Sequence, residues 1–260
     1  HVGLQKSDLC THIKTLALKI ERINSLGARL FGNRIGDWTD VIDLDYSNRA
    51  LWDYQIESLV MWAGIVDGFR CDVASFVPVD FWLRAREACA KVNPDCIWLA
   101  ETVHSSFALF HRQTGLYAAN DYDMFRAFDM EYDYDIREVF DRYLKGECRL
   151  SNYMDVLNFQ ECLYPANYIK MRCLENHDQP RICSFVKDEK ALENYTAFLF
   201  FLKGTTLLYA GQEFKNSHVP SLFDKDLIQG LCAGKHNHFR FRIAKEEPAR
   251  VQCVVVKKRI

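Results

Sequence analysis

The sequence predicts an α/β fold in which parallel strands are joined by helical crossovers, as a barrel or an open sheet. Short apolar runs alternate with stretches of helical periodicity along most of the chain, the pattern of repeated βα units. Five carboxylates, Asp72, Glu101, Asp129, Asp178 and Glu213, lie in or at the ends of those runs and are separated by 29, 28, 49 and 35 residues. The 260 residues are 49% hydrophobic and 26% charged, which supplies a sizeable core for one domain or two small ones.

The elements follow in order. From Ser7 to Leu26 the apolar positions Leu9, Ile13, Leu16, Ile20 and Ile23 step by 4, 3, 4 and 3, one face of a helix between a possible N-cap at Ser7 and a stop at Gly27. Residues 31–49 read as a long loop ending in a helix start near Ser47, and Trp52, Ile56, Leu59, Val60 and Ala63 continue at helical spacing over 51–63. A strand within Gly64–Asp72 precedes a Pro78-led helix to Val92, and Cys96–Glu101 forms the next strand. The unit recurs as strand Ala127–Asp133 with helix Asp135–Lys145, then as strand Tyr168–Asp178 with helix Glu189–Leu202, and ends in strand Thr205–Glu213. Val251–Val256 is strand-like, and the rest of the tail carries no clear pattern.

Charge and motifs exclude several functions. With 33 Lys+Arg against 35 Asp+Glu the net charge is −2, so there is no basic excess to neutralise nucleic acid or an anionic membrane. No apolar stretch approaches the roughly 20 residues of a bilayer span, and a soluble protein is expected. Ten cysteines are spread from Cys10 to Cys253 without CxxC pairs. Cys71, Cys89, Cys96 and Cys173 sit in apolar runs, as reduced thiols of a cytoplasmic protein would. The chain opens with His1 rather than Met, with no basic segment followed by an apolar one. Phosphate-binding glycine loops and the GxSxG nucleophile motif are absent. His104, His111 and His218 lack ligand spacing, so neither a metal nor an organic cofactor is expected.

In a barrel of parallel strands the βα loops converge at the strands' C-terminal ends, where Asp72, Glu101 and Asp178 fall. Several acids in one partly dry site suit a reaction that uses carboxylates in different protonation states, and glycoside hydrolysis is one. Arg70 shares a strand face with Asp72 by the period of two and is expected to hold that acid ionised. Glu101, after the apolar run Trp98-Leu99-Ala100, is better placed to keep its proton. An acid at a strand end also commonly caps a helix or pairs with a base. Trp38, Tyr117 and Tyr122 are candidate sugar-stacking residues, whereas Trp98 reads as core.

Gly68-Phe69-Arg70-Cys71-Asp72, Trp98-Leu99-Ala100-Glu101 and Leu174-Glu175-Asn176-His177-Asp178 resemble, in order, the second, third and fourth signature regions of the α-amylase family, glycoside hydrolase family 13. Gly204 to Glu213 is similar to the family's segment on the eighth barrel strand, and Gly36–Tyr46 to the stretch before the fourth. The resemblance implies a partial (β/α)8 TIM barrel, strands four to eight with flanking helices, over residues 31–226. An N-terminal helical segment, 1–30, and an unassigned tail, 227–260, flank it. It also implies Asp72 as nucleophile, Glu101 as general acid and base, Asp178 as the third catalytic acid, and Arg70 and His177 as substrate-site residues.

Two departures stand out. The first signature, an Asp followed by Asn-His at the end of the third strand, is not in this chain, nor are strands one to three; His1 falls near where that signature would end. Val73-Ala74-Ser75-Phe76 stands where many members have Lys-His, so calcium is not supported. Five strands do not close an eight-stranded barrel, and the edge of the first would need cover from the 7–26 helix or another chain. The expected activity is retaining cleavage of α-1,4-glucosidic bonds in an α-glucan or maltooligosaccharide. The alternatives are an inactive, truncated relative that only binds glucan, and an α-glucan transglycosylase. The oligomeric state is not legible.

Overall fold

The computed structural model describes residues 44–221. The helix expected over 7–26, Trp38, most of the 31–49 loop and the tail beyond 221 lie outside the described residues. The chain divides into two compact units between Met61 and Trp62. Helix α1 (Arg49–Ala63) starts in the first unit and runs past that division; it begins after a turn in which Asp45 accepts from the Ser47 hydroxyl, and Trp52 Nε1 donates to the Tyr46 carbonyl over 2.9 Å.

The second unit carries a five-stranded parallel sheet in the order β1 (Gly68–Cys71), β2 (Ile97–Ala100), β3 (Met130–Tyr132), β4 (Lys170–Cys173), β5 (Thr205–Leu207). Sequential parallel pairing requires a crossover between every pair. Helices α2 (Val79–Ala90), α3 (Ser105–Gln113), α4 (Asp121–Met124), α5 (Arg137–Leu144), α6 (Leu150–Leu163), α7 (Ile182–Phe185) and α8 (Glu189–Phe201) lie in those connections. This is the expected partial barrel of strands and flanking helices. Every expected strand and crossover helix among the described residues forms. The strands are short, three or four residues each, because the carboxylates and polar residues that close each run already belong to the loops.

Four helices lacked a sequence expectation: α3, α4, α6 and α7. In α6 the buried positions Tyr153, Leu157 and Gln160 step by 4 and 3 along one face, but the third is polar and the exposed Met154, Phe159 and Leu163 blur the stripe. Its buried residues join α5, α7 and α8 in one core layer of Ile136, Phe140, Tyr153, Leu157, Leu174, Ile182, Leu192 and Leu199. Each such side chain contributes roughly 1.5–3 kcal/mol by leaving water.

The other face of the sheet packs Leu99, Met130, Tyr132, Tyr134, Met171, Cys173 and Leu207 together. Two glycines permit the close spacing. A Cβ on Gly68 would meet the Ile97 carbonyl oxygen at 2.4 Å, and Gly204, at φ +127° before β5, would press one against the Lys170 carbonyl at 2.2 Å. Cys71, Cys89, Cys96 and Cys173 are free and buried, as expected of thiols in apolar runs. No described helix is long and apolar enough to cross a membrane.

Candidate active site

The strand ends gather three of the five flagged acids and disperse two. Arg70, on β1, donates through one terminal nitrogen to Asp72 Oδ1 and through the other to Glu101 Oε1 at 2.5 Å, so one guanidinium bridges the two carboxylates. Asp178, in the loop after β4, has its Oδ2 2.9 Å from His177 Nε2. Ligand atoms of Glu101, His177 and Asp178 lie within 4.8 Å of one another. That spacing is short enough for a divalent cation, but Arg70 already supplies positive charge to both carboxylates.

Asp129 and Glu213 behave as ordinary structural acids. Asp129 precedes β3, at the opposite end of the sheet, where it pairs with Arg86 and accepts from the Trp98 N–H at 2.8 Å. The carboxylate at the C-terminal end of that run is Asp133, which pairs with Arg172 at 2.6 Å. Glu213 sits beyond β5 and accepts from the Gly211 N–H at 2.9 Å, bracing its own turn.

Backbone geometry fixes Glu101. Val73 adopts a left-handed conformation (φ 45°, ψ 37°), a costly one for a β-branched residue. It turns the Val73 N–H onto Glu101 Oε2 at 3.0 Å, while the Ala74 N–H donates to the Glu101 carbonyl, also at 3.0 Å. Glu101 is 8% exposed, and burial pushes its carboxyl up to about 7 against the opposing pull of the Val73 N–H and Arg70; Asp72 adds to the rise. Asp178 is shifted the other way. The hydrogen bond to His177, reinforced by the charge of Arg70, holds it below the usual carboxylate range against its partial burial. Burial works against the charge on Arg70, and Glu101, Tyr132 and Asp72 outweigh it, so its pKa is raised.

The loops that carry these groups are pinned by buried polar side chains. Arg181 is fully buried and donates to Glu175 at 2.6 Å, and to the carbonyls of Ala210 and His218 at 2.9 Å each. Glu175 also accepts from the Ile182 N–H at 2.7 Å, closing the β4 loop, and the Arg181 bonds to the Ala210 and His218 carbonyls tie that loop to the segment after β5. Arg137, on α5, donates to the carbonyls of Cys173 and Leu174 at 2.9 Å each, anchoring the base of the same loop. Asn176 Oδ1 accepts from the Asp178 N–H at 2.9 Å. Sequence reasoning missed Arg137, Arg181, Val73 and Tyr132, since each acts through partners distant in sequence or through backbone conformation. Of the stacking candidates, Tyr117 and Tyr122 are exposed, and the Tyr117 hydroxyl accepts from the Val79 N–H; Trp98 is core at 1% exposure.

The α-amylase catalytic-domain family model matches residues 36–249. The chain belongs to the α-amylase family. Among solved structures it is similar to an α-amylase from Lactobacillus plantarum, at 44% identity and a TM-score of 0.72, over 76% of this chain and 47% of that one. A noncanonic maltogenic α-amylase from Thermotoga neapolitana matches at 41% identity and a TM-score of 0.61, over 72% and 41%. Among curated proteins, an α-amylase of Haloarcula japonica is 28% identical over 180 residues, 68% of this chain and 25% of that protein. The chain thus spans about a quarter of that curated relative and just under half of the first structure. In the frame of the α-amylase family, β1 to β5 correspond to barrel strands four to eight.

Proposed function

We propose that this protein is a retaining α-glucan hydrolase, with residues 31–226 forming its partial catalytic domain between the segments 1–30 and 227–260. One observation carries the reading: a buried carboxyl with its pKa pushed up to about 7, Glu101, shares a single guanidinium with an exposed carboxylate, Asp72, at the C-terminal ends of adjacent strands. Retaining glycosidases require such a pair, one proton donor and one nucleophile roughly 5–5.5 Å apart across the scissile bond.

In the first step the Asp72 carboxylate attacks the anomeric carbon, the glycosidic bond breaks, and the leaving oxygen takes the Glu101 proton. In the second, the Glu101 carboxylate takes a proton from water, whose oxygen attacks the anomeric carbon and releases Asp72. Arg70 orients the nucleophile. Asp178, held ionised by His177, supports the positive charge that develops on the sugar ring and, with His177, binds sugar hydroxyls. The reaction needs no organic cofactor. The family match, the α-amylase and maltogenic amylase relatives, and the free thiols among the described residues support an α-1,4-glucan substrate and a cytoplasmic setting.

The test is the anomeric configuration of the first product released from a maltooligosaccharide, followed by proton NMR before mutarotation. An α-configured product supports the retaining reading, and a β-configured one overturns it. Transfer products that outweigh hydrolysis even at low maltooligosaccharide concentration would mark a transglycosylase instead.

A further inference from the structure

β3 is the middle strand of the sheet, yet it contributes no acid to the cluster. Its neighbour β2 carries Glu101 and its neighbour β4 leads into His177 and Asp178. The acid that closes β3, Asp133, turns away to Arg172 and Gln160. What the end of β3 and the segment after it offer instead is a pair of tyrosines two residues apart, Tyr132 and Tyr134, in the cluster that lines the face holding Arg70.

Both rings are buried, and each touches one half of the cluster. The Arg70 guanidinium lies 5.6 Å from the Tyr132 ring centroid, inside the range of a cation–π contact, and its charge pulls the Tyr132 hydroxyl's pKa down against the rise that burial causes. The Tyr134 hydroxyl accepts from Asn176 Nδ2 at 2.7 Å, and Asn176 in turn receives the Asp178 N–H. The two rings pack against each other with centroids 5.0 Å apart, and His104 stacks on Tyr134 at 5.1 Å with an interplanar angle of 6°. The Thr102 hydroxyl, next to Glu101, donates to the Tyr132 carbonyl at 3.2 Å. A continuous path of contacts therefore runs from Arg70 and its two carboxylates, through Tyr132 and Tyr134, to Asn176 and Asp178.

We propose that Tyr132 and Tyr134 are positioning residues that set the separation between the Arg70–Asp72–Glu101 group and the Asn176–His177–Asp178 group. The proposal rests on the catalytic reading above. Near-attack geometry is sensitive to shifts of an ångström, so a loosened spacer lowers turnover without emptying the site. If the rings only fill the core, replacing tyrosine by phenylalanine leaves catalysis alone, since ring and volume stay.

The experiment compares Tyr132→Phe and Tyr134→Phe with the unsubstituted protein on a maltooligosaccharide. The expected result is a kcat lower by about tenfold for each, with KM changed by less than about threefold and the thermal midpoint nearly unchanged. The pH profile supplies a readout that core packing does not move. Glu101 faces Arg70 and Asp72 from β1, Tyr132 from β3 and Asp178 with His177 from the β4 loop. Loosening Arg70 removes a group that lowers the Glu101 pKa, so the alkaline limb of Tyr132→Phe moves to higher pH. Turnover within twofold of the unsubstituted protein for both variants, with an unmoved limb, overturns the proposal. Absence of turnover in the unsubstituted protein overturns the catalytic reading instead. The spacer is then still tested by NMR titration of Glu101, where an unchanged midpoint in Tyr132→Phe rejects it and an upward shift supports it.

Discussion

Two groups of acids lie on opposite faces of one sheet, and chemistry separates them. At the rim of the face that holds Arg70, Asp72, Glu101 and Asp178 meet near the surface, with Asp72 67% and Asp178 39% exposed at the side chain. On the other face Asp121, Glu131 and Asp135 surround the fully buried ammonium of Lys170; the Glu131 and Asp135 oxygens lie 3.1 and 3.3 Å from it, and Asp121 pairs with it directly. Arg172 and Asp133 extend that group, and Gln160 bridges Asp133 and Asp135. Three carboxylates against one ammonium cannot all ionise cheaply in a dry layer. Burial pushes Glu131 well above its ordinary value and Asp121 up to about 6, whereas the charge of Lys170 and hydrogen bonds from Gln160 and Tyr164 hold Asp135 down despite its burial. The lesson is that acids of the same kind become reactive or structural according to whether solvent and substrate can reach them, not according to how far their titration is shifted.

That contrast can be broken by substitution. The largest effects should come from the rim. Glu101→Gln is expected to lower kcat on a maltooligosaccharide by about 10²–10⁴-fold, the share of a general acid, and Asp72→Asn by at least as much. Thermal unfolding should barely change, and a large destabilisation with residual activity would instead make these acids structural. Lys170→Met should do the reverse. Stripping the ammonium from its buried carboxylates is expected to cost about 3–5 kcal/mol in urea unfolding.

A smaller effect separates the two groups by pH. Glu101 must carry its proton in the first step, so the alkaline limb of kcat/KM is expected near the value of about 7 to which burial raises it. For the buried group the raised values mean that the folded state holds protons the unfolded chain releases. Its contribution to stability is complete below the ordinary carboxylate range and fades as pH rises through about 6, where Asp121 titrates, and on through Glu131. The smallest change sharpens the comparison. Glu131→Gln, a neutral isostere of the protonated acid, should alter neutral-pH stability by less than about 1 kcal/mol and flatten the alkaline loss seen in urea titrations. A steep loss at neutral pH would show that Glu131 is ionised.

The rim was legible in the sequence and the buried layer was not. Asp72, Glu101 and Asp178 each stand at the end of an apolar run, and Arg70 sits two residues before the first, so local spacing alone brings them to one end of the sheet. The same rule overreached at Asp129, which falls at the other end of its strand, and at Glu213, which follows β5 but braces only its own turn. Lys170, Arg172 and Glu131 interrupt short strands with charge, a pattern that reads as weak β-structure until cross-strand register places Glu131 beside Lys170. Tyr132 and Tyr134 show the intermediate case: their period of two was visible, but their partners, 30 to 62 residues away, were not.

The left-handed turn at Val73 bears on how freely this corner can diverge. Its grip on the proton donor belongs to a peptide N–H, so the identity of the side chain there is open to drift. A residue that tolerates positive φ, glycine or asparagine, relieves the torsion and keeps the contact; proline alone deletes the donor. Position 73 can therefore vary across sequences while the geometry it secures stays fixed.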